Sequence, residues 1–530
     1  MNTRIRRLGV GLLALYLLLF VQLNRVQFVQ AEALKEDPRN IAVLLREFGQ
    51  DRGQILTADG VVAARSVPTP IDADIEFRRE YPTGERYAHV VGFQSFNQGA
   101  FGLEREYHAE LAGTPITQKF TSIGDLFDDR DSTGTLVLTL RDDVQQAAVA
   151  ALGDRRGSVV ALDPRTGAVI AMWTWPSFDP NPLAGLDGAS VNAAYRALLD
   201  DPDDPLLAKA YRENFFPGST FKLITAAAGV QAGVIGPTSP VFAVNRTYEP
   251  IPAGSTIRNF GGSECGGDLR EILRVSCNTA FAEMGAEWVG PDPMVSTAEN
   301  FGFNATPPID LPGAAPSLFP DDYGARLADV EFYRGSPDRD DPDADPDADP
   351  DADPESLPNG STPIHENSAI LAQTSIGQND VKATPLQMAL VAAAIANDGM
   401  MMKPYVVAEI RAADGDVYER TEPDIWRIAT SAGTAAVLRE AMVDVAAAGT
   451  ARNLAVPGLQ VGGKTGTAQL GTDPPDSHAW IVGFAGPPGL PPELVVAVIV
   501  EAQAGASEQT GGTVAAPVAR AVIEAAFRLG

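Results

Sequence analysis

The sequence predicts an α/β protein in which distant parts of the chain close a single sheet, with helices between them. Three observations predict it. Two apolar runs, 158–162 and 168–173, flank the turn sequence Asp163-Pro164-Arg165-Thr166-Gly167 and read as a hairpin. Two further strand-like runs, 479–484 and 494–500, lie near the other end and are separated by a Pro-rich turn. The stretch between the two pairs is mostly helical in pattern.

At 530 residues the chain has room for two or more domains, and its 45% hydrophobic and 21% charged composition is that of a globular protein. The formal net charge of −29 excludes a nucleic-acid surface, which needs Lys and Arg in excess. Seven lysines (35, 119, 209, 222, 382, 403 and 464) leave 33 arginines among the 40 basic residues. The position of a lysine therefore carries unusual weight here.

The first elements are a short basic stretch with Arg4, Arg6 and Arg7, then an unbroken apolar run from Leu8 to Val21. With Leu23, Val26, Phe28 and Val29 the run reaches roughly the 20 residues that span a bilayer. The basic end is expected to stay in the cytoplasm. The reading is a cytoplasmic tail (1–7) and a single-pass anchor (8–29). The other reading is a cleaved signal peptide ending at Ala31-Glu32-Ala33, although that site lies behind Gln22, Asn24 and Arg25. Either way the rest of the chain is expected outside the cytoplasm.

Residues 30–134 suffice for one modest domain, with turns at Ala58-Asp59-Gly60 and Pro82-Thr83-Gly84. A second, larger domain is expected over 135–530. It opens with the apolar run 135–140, continues through a helix over 144–152, and closes with a helix from about Pro517 to Phe527. Residues 338–355 repeat Asp-Pro-Asp-Ala and carry −9 of the net charge. Proline every four residues and dense like charge forbid a packed core, so an extended acidic insertion is expected.

Cys265 and Cys277, both on the exported side, are twelve residues apart. An oxidising compartment permits a disulfide, which would close a loop worth about 3 kcal/mol in the chain-entropy model. Two buried thiols are the other reading.

Three short boxes carry chemistry. In Pro217-Gly218-Ser219-Thr220-Phe221-Lys222, Ser219 reads equally as a helix cap. A capping box, however, wants Glu or Gln where Lys222 stands, and a cation in the first turn opposes the helix dipole. Three residues apart on a helix, the Lys222 amine can reach the Ser219 hydroxyl, and burial lowers its pKa toward that of a base. Ser276-Cys277-Asn278 reads by itself as a cap for a helix over 279–288. Gly462-Gly463-Lys464-Thr465-Gly466-Thr467 pairs glycines for close backbone approach with a lysine and two hydroxyls that can hold a carboxylate. By itself it reads equally as a Gly-rich turn with a solvated lysine. Residues 458–465 also satisfy the Walker A string, but Gly466, Gly471, Pro474 and Pro475 leave no helix to face a phosphate.

Together the boxes run Ser-x-x-Lys, Ser-x-Asn, Lys-Thr-Gly, the signature set of penicillin-recognising serine enzymes. The wider chain resembles class B penicillin-binding proteins, most closely their actinobacterial penicillin-binding protein A branch. The resemblance rests on Arg52-Gly53-Gln54-Ile55-Leu56, Gly99-Ala100-Phe101-Gly102-Leu103-Glu104, Trp175-Pro176-Ser177-Phe178-Asp179-Pro180-Asn181, Ser375-Ile376-Gly377-Gln378 and His478-Ala479-Trp480.

The resemblance implies a five-stranded antiparallel sheet flanked by helices, beside a smaller N-terminal pedestal. It implies a membrane-bound D,D-transpeptidase that cross-links peptidoglycan stem peptides, is inhibited by β-lactams, and works with glycan polymerases or with division and elongation proteins. It implies Ser219 as nucleophile, Lys222 as base, Ser276 as proton relay and Asn278 as orienting group. Lys464, Thr465, Gly466 and Thr467 would bind the substrate carboxylate, with the Ser219 and Thr467 N–H groups as oxyanion hole. No cofactor or metal is implied, and His89, His108, His365 and His478 are too scattered to argue a site. A β-lactamase shares the boxes but is compact and unanchored. A β-lactam sensor needs more than a short cytoplasmic tail, and a non-catalytic division scaffold does not need Ser219, Lys222 and Lys464.

Overall fold

The structure is a computed structural model of the 530-residue chain and describes residues 2–25, 51–70, 75–113, 133–250, 256–321, 369–470, 476–502 and 509–529. The acidic repeat 338–355, Ala31-Glu32-Ala33 and His365 lie outside the described residues. The first helix, Asn2–Asn24, includes a 19-residue stretch, Arg6–Asn24, long and apolar enough to cross a membrane. At 1.5 Å per residue that stretch is about 28 Å long, close to a bilayer's hydrocarbon thickness. None of it is buried against the rest of the chain.

Two sheets organise the remainder. The first contains Ile55–Leu56 (β1), Val62–Pro68 (β2), Phe77–Glu80 (β3) and Thr135–Leu138 (β4). The second contains Gly157–Leu162 (β5) and Val169–Trp175 (β6). Later in the chain, Val407–Arg411 (β7) and Val417–Arg420 (β8) return to the first sheet. Gln460–Gln469 (β9), Ser477–Gly486 (β10) and Leu494–Val500 (β11) complete the second.

The first sheet has the order β8-β7-β4-β1-β2-β3. It crosses the boundary that the sequence suggested between residues 134 and 135. β4, expected to open the larger domain, pairs in parallel with β1 on one side and antiparallel with β7 on the other. The physical reason is non-local: one short apolar strand satisfies its two edges with partners roughly 80 and 270 residues away, which local pattern does not encode. Beside this sheet the carboxylate of Glu104 is fully buried between Arg52 at 2.7 Å and Arg79 at 2.6 Å. Burial alone would raise its pKa; the two guanidiniums outweigh that and hold it below the usual carboxylate range. A second polar tie joins the two parts. The Asp310 carboxylate accepts the Val406 N–H at 2.7 Å, the Val407 N–H at 2.9 Å and the Tyr107 hydroxyl at 3.3 Å.

The second sheet, order β9-β10-β11-β5-β6, is antiparallel throughout and contains the five strands the resemblance implied. Every residue of β5 and β11 is buried, as expected for central strands covered on both faces. The helix Pro385–Ala396 covers one face and is itself buried all round, which fits its uninterrupted apolar sequence. Thr384 caps it by accepting the Gln387 N–H at 3.1 Å. Helices Asp142–Leu152 and Ala516–Ala526 pack on each other, the latter also against β11. Both lie within two residues of their sequence-predicted spans. β9 is the edge strand, so Lys464 and Thr465 lie mid-strand, not in a turn, and not in a loop before a helix.

Candidate active site

Ser219 lies in the 3₁₀ turn Gly218–Thr220, which runs directly into the helix Lys222–Gln231. The turn depends on two glycines. Gly218 has φ +52°, a left-handed conformation, and a Cβ there would lie 2.9 Å from Thr467 O. Gly466 presents the other side of the same contact, since its Cβ would lie 2.9 Å from Pro217 O. The turn is thereby pressed against edge strand β9. The Gly218 N–H donates to Gly377 O at 2.9 Å, and the Trp480 indole N–H donates to Phe216 O at 3.0 Å. Behind it Phe221 stacks on Phe319 and meets Phe303 edge-on. Among the described residues nothing hydrogen-bonds the Ser219 hydroxyl, and the side chain borders a cleft of about 1030 Å³.

Lys222 is fully buried. Its Nζ donates to Asn278 Oδ1 at 2.6 Å and to Ser276 O at 2.8 Å, with Ser276 Oγ farther off at 3.4 Å. Asn278 is fixed from its other end, where Nδ2 donates to Arg258 O at 2.9 Å. Lys464 is equally buried, and its Nζ donates to Ser276 Oγ and to Thr465 O, both at 2.7 Å. Among the described residues neither lysine has a carboxylate in ion-pair range. Burial, and then the charge of Lys464, hold the Lys222 amine well below the ordinary lysine range. Burial brings Lys464 down to about 7.

Ser276 joins the helix Leu269–Arg274 to the helix Asn278–Glu283. It does so with φ +59°, where glycine or asparagine is the usual residue. Holding a serine there costs on the order of 1 kcal/mol, the kind of strain that accumulates at functional sites. The Cys277 N–H donates to Ile272 O at 2.8 Å, and Cys277 is disulfide-bonded to Cys265. The helix expected over 279–288 changes at Met284–Val289 into a π turn.

The structure thus brings Ser219, Ser276, Asn278, Thr465 and Thr467 to one cleft, with Lys222 and Lys464 beneath it. Sequence reasoning missed Thr450, whose hydroxyl accepts from Thr465 Oγ1 at 2.7 Å. It also missed the wall formed by Thr510, Gly512 and Thr513. The signal for Thr450 was the sequence Gly449-Thr450 directly after an Ala-rich helix. Gly449 allows a close approach there, since a Cβ would lie 2.5 Å from Arg274 O.

Comparison with known proteins agrees with this geometry. The family described as "Penicillin binding protein transpeptidase domain" matches residues 157–524, and "Penicillin binding protein A dimerisation domain" matches residues 52–137. The chain is 39% identical to "Peptidoglycan D,D-transpeptidase PbpA" of Mycolicibacterium smegmatis over 100% of both chains. It is 38% identical to the protein of the same name from Mycobacterium tuberculosis, over 100% of this chain and 99% of that one. Among solved structures, the ceftriaxone acyl-enzyme complex of penicillin-binding protein A from M. tuberculosis superposes with a TM-score of 0.76 at 35% identity. That match covers 91% of this chain and 100% of that one. The penicillin G acyl-enzyme complex of the same protein gives 0.73 at 35% identity, covering 90% and 100%.

Proposed function

The chain belongs to the penicillin-binding protein transpeptidase family, and from that premise we propose how it acts as a peptidoglycan D,D-transpeptidase. A neutral Lys222 has two N–H bonds, which its short contacts to Asn278 Oδ1 and Ser276 O occupy. That leaves the lone pair to accept the Ser219 proton. The Ser219 Oγ then attacks the carbonyl of the penultimate D-Ala. The C–N bond to the terminal D-Ala breaks, and its amine takes a proton relayed from Lys222 through Ser276. An amine from a second stem attacks the ester, the new C–N bond replaces the C–Oγ bond, and the proton returns to Ser219.

Lys464 holds the opposite role. Two of its three ammonium donors are used by Ser276 Oγ and Thr465 O, which leaves the third for the terminal carboxylate of the donor. The Thr467 hydroxyl supplies a further donor beside Thr465, whose own hydroxyl donates to Thr450, and the N–H groups of Ser219 and Thr467 stabilise the oxyanion. A β-lactam follows the first half of this path; its leaving nitrogen stays tethered, and the ester resolves slowly. The single observation that carries the reading is a buried amine with no carboxylate partner among the described residues, hydrogen-bonded to Asn278 and Ser276 beside the Ser219 turn.

The helix Asn2–Asn24 is read as a single-pass membrane anchor, with Arg4, Arg6 and Arg7 on the cytoplasmic side and the two sheets outside. The segment matched by the dimerisation family provides the surface for other cell-wall proteins, such as a glycan polymerase.

The direct test uses full-length protein in detergent with a synthetic stem peptide ending in D-Ala-D-Ala and an amine acceptor. One D-Ala released per new amide bond is expected, and pretreatment with penicillin should stop it. Release of D-Ala into hydrolysed product alone, whatever the acceptor concentration, would contradict transpeptidation.

A further inference from the structure

The active-site cleft departs from the charge of the chain that builds it. In a protein with 69 acidic residues and a net charge of −29, no Asp or Glu lines the cleft among the described residues, whereas Arg258, Arg274 and Arg452 do. Arg274 is neutralised, since its guanidinium makes two 2.7 Å contacts to the Glu271 carboxylate. Arg258 and Arg452 are exposed and, among the described residues, have no side-chain hydrogen bond or ion pair.

Both arginines are built into the machinery by their backbones or neighbours. The Arg258 carbonyl accepts the Asn278 side-chain N–H at 2.9 Å, so the residue is fixed beside the proton-transfer network. Arg452 stands two residues after Thr450, whose hydroxyl meets Thr465, and its neighbour Asn453 donates to Gly512 O at 2.7 Å. Arg258 therefore lines the Asn278 end of the cleft and Arg452 the Thr465 end. A guanidinium that lines a cleft with no acidic residue among the described residues has carboxylate or phosphate as its natural partner, bound through paired N–H donors.

We propose that Arg258 and Arg452 form a divided second carboxylate subsite, one arginine at each end of the cleft. It would bind acidic groups carried by the donor stem peptide in addition to the D-Ala terminal carboxylate. The inference rests on the transpeptidase reading and adds what that reading leaves open: the enzyme selects stems whose side carboxylates are free over stems in which they are amidated. Selection comes from charge-assisted hydrogen bonds that a carboxamide cannot reproduce, together with the positive field of the arginines and Lys464.

The test compares two synthetic donors ending in D-Ala-D-Ala, identical except that the side carboxylates are free in one and amidated in the other. Full-length protein in detergent is normalised by fluorescent-penicillin labelling, which counts folded, acylation-competent molecules. The measured quantity is the ratio of kcat/KM for the acidic over the amidated donor. A ratio of about ten or more is expected in the wild type, falling toward one in the double variant Arg258→Gln/Arg452→Gln. Arg452→Lys should keep part of the preference, because the charge remains while the paired geometry is lost. A wild-type ratio near one, or a high ratio that survives in the double variant, would overturn the subsite. If the wild type releases D-Ala from neither donor, the transpeptidase reading fails as well, an outcome distinct from turnover without discrimination.

Discussion

Lys464 donates a 2.7 Å hydrogen bond to the hydroxyl of Ser276, the same oxygen that lies 3.4 Å from the amine of Lys222. One serine thus joins two buried amines that have no carboxylate partner among the described residues. Two ammonium ions cannot both persist there cheaply, because each loses its hydration and repels the other. In the proposed division of work, burial and then the charge of Lys464 keep Lys222 neutral.

That division sets the pH dependence of acylation. Lys222 must be neutral to accept a proton, so the rate rises as pH climbs through its lowered pKa. Lys464 must be protonated to attract a carboxylate, so the rate falls as pH passes about 7 in the free enzyme. The expected profile is a bell whose alkaline limb belongs to Lys464. Lys464→Gln removes the charge that depresses Lys222, so the acid limb should move to higher pH. Stopped-flow acylation with a chromogenic cephalosporin across pH checks this, and an unmoved acid limb would show that the amines are not coupled.

Replacing each lysine by arginine separates base from charge. Guanidinium does not deprotonate in this range, so Lys222→Arg should lower the acylation rate by at least about a hundredfold. Lys464→Arg preserves the positive field with altered geometry and should retain partial activity. Equal losses in the two variants would contradict the division of roles.

Much of this site was legible in the sequence, and for a physical reason. Ser219 and Lys222 are three residues apart, in a 3₁₀ turn and the helix it runs into, and Ser276 and Asn278 bracket one helix start. Lys464, Thr465 and Thr467 follow one strand, so each group is a local pattern. The scarcity of lysine made two of the boxes stand out. The central strands were legible as unbroken apolar runs because both faces are covered. What was not legible depends on distant pairing. The strand Thr135–Leu138 joins the first sheet through Val407–Arg411, and Thr450 reaches Thr465 across a helix end and a turn. The left-handed backbone of Ser276 was also hidden, because serine gives no signal for a conformation that glycine normally marks.

That backbone allows a stability test in which the usual order of alanine and glycine reverses. Ser276→Ala and Ser276→Gly both remove the hydroxyl and should be similarly slow in acylation. At φ +59° the alanine Cβ remains strained, so the glycine variant should be the more stable by about 1 kcal/mol. Denaturant unfolding of the two variants measures it. An alanine variant as stable as the glycine one would mean the strain is absent.

The tie between Asp310, Tyr107 and the strand Val407–Arg411 makes a separate prediction. Asp310→Ala removes an acceptor shared by the Val406 and Val407 N–H groups and the Tyr107 hydroxyl. It should cost about 2–3 kcal/mol in unfolding free energy, with Tyr107→Phe costing about 1 kcal/mol or less. Thermal unfolding followed beside acylation would show the stability loss with little change in acylation rate in molecules that remain folded. A large rate loss at unchanged stability would place Asp310 in the catalytic network instead.

The central claim is that Ser219 is the nucleophile, and site mapping of the β-lactam adduct tests it most directly. Full-length protein is labelled with penicillin, digested and analysed by mass spectrometry, alongside Ser219→Ala. The account predicts one stable penicilloyl group on the peptide containing Ser219, and none in the variant. Full labelling of Ser219→Ala, or an adduct that maps to another serine in the wild type, would contradict it.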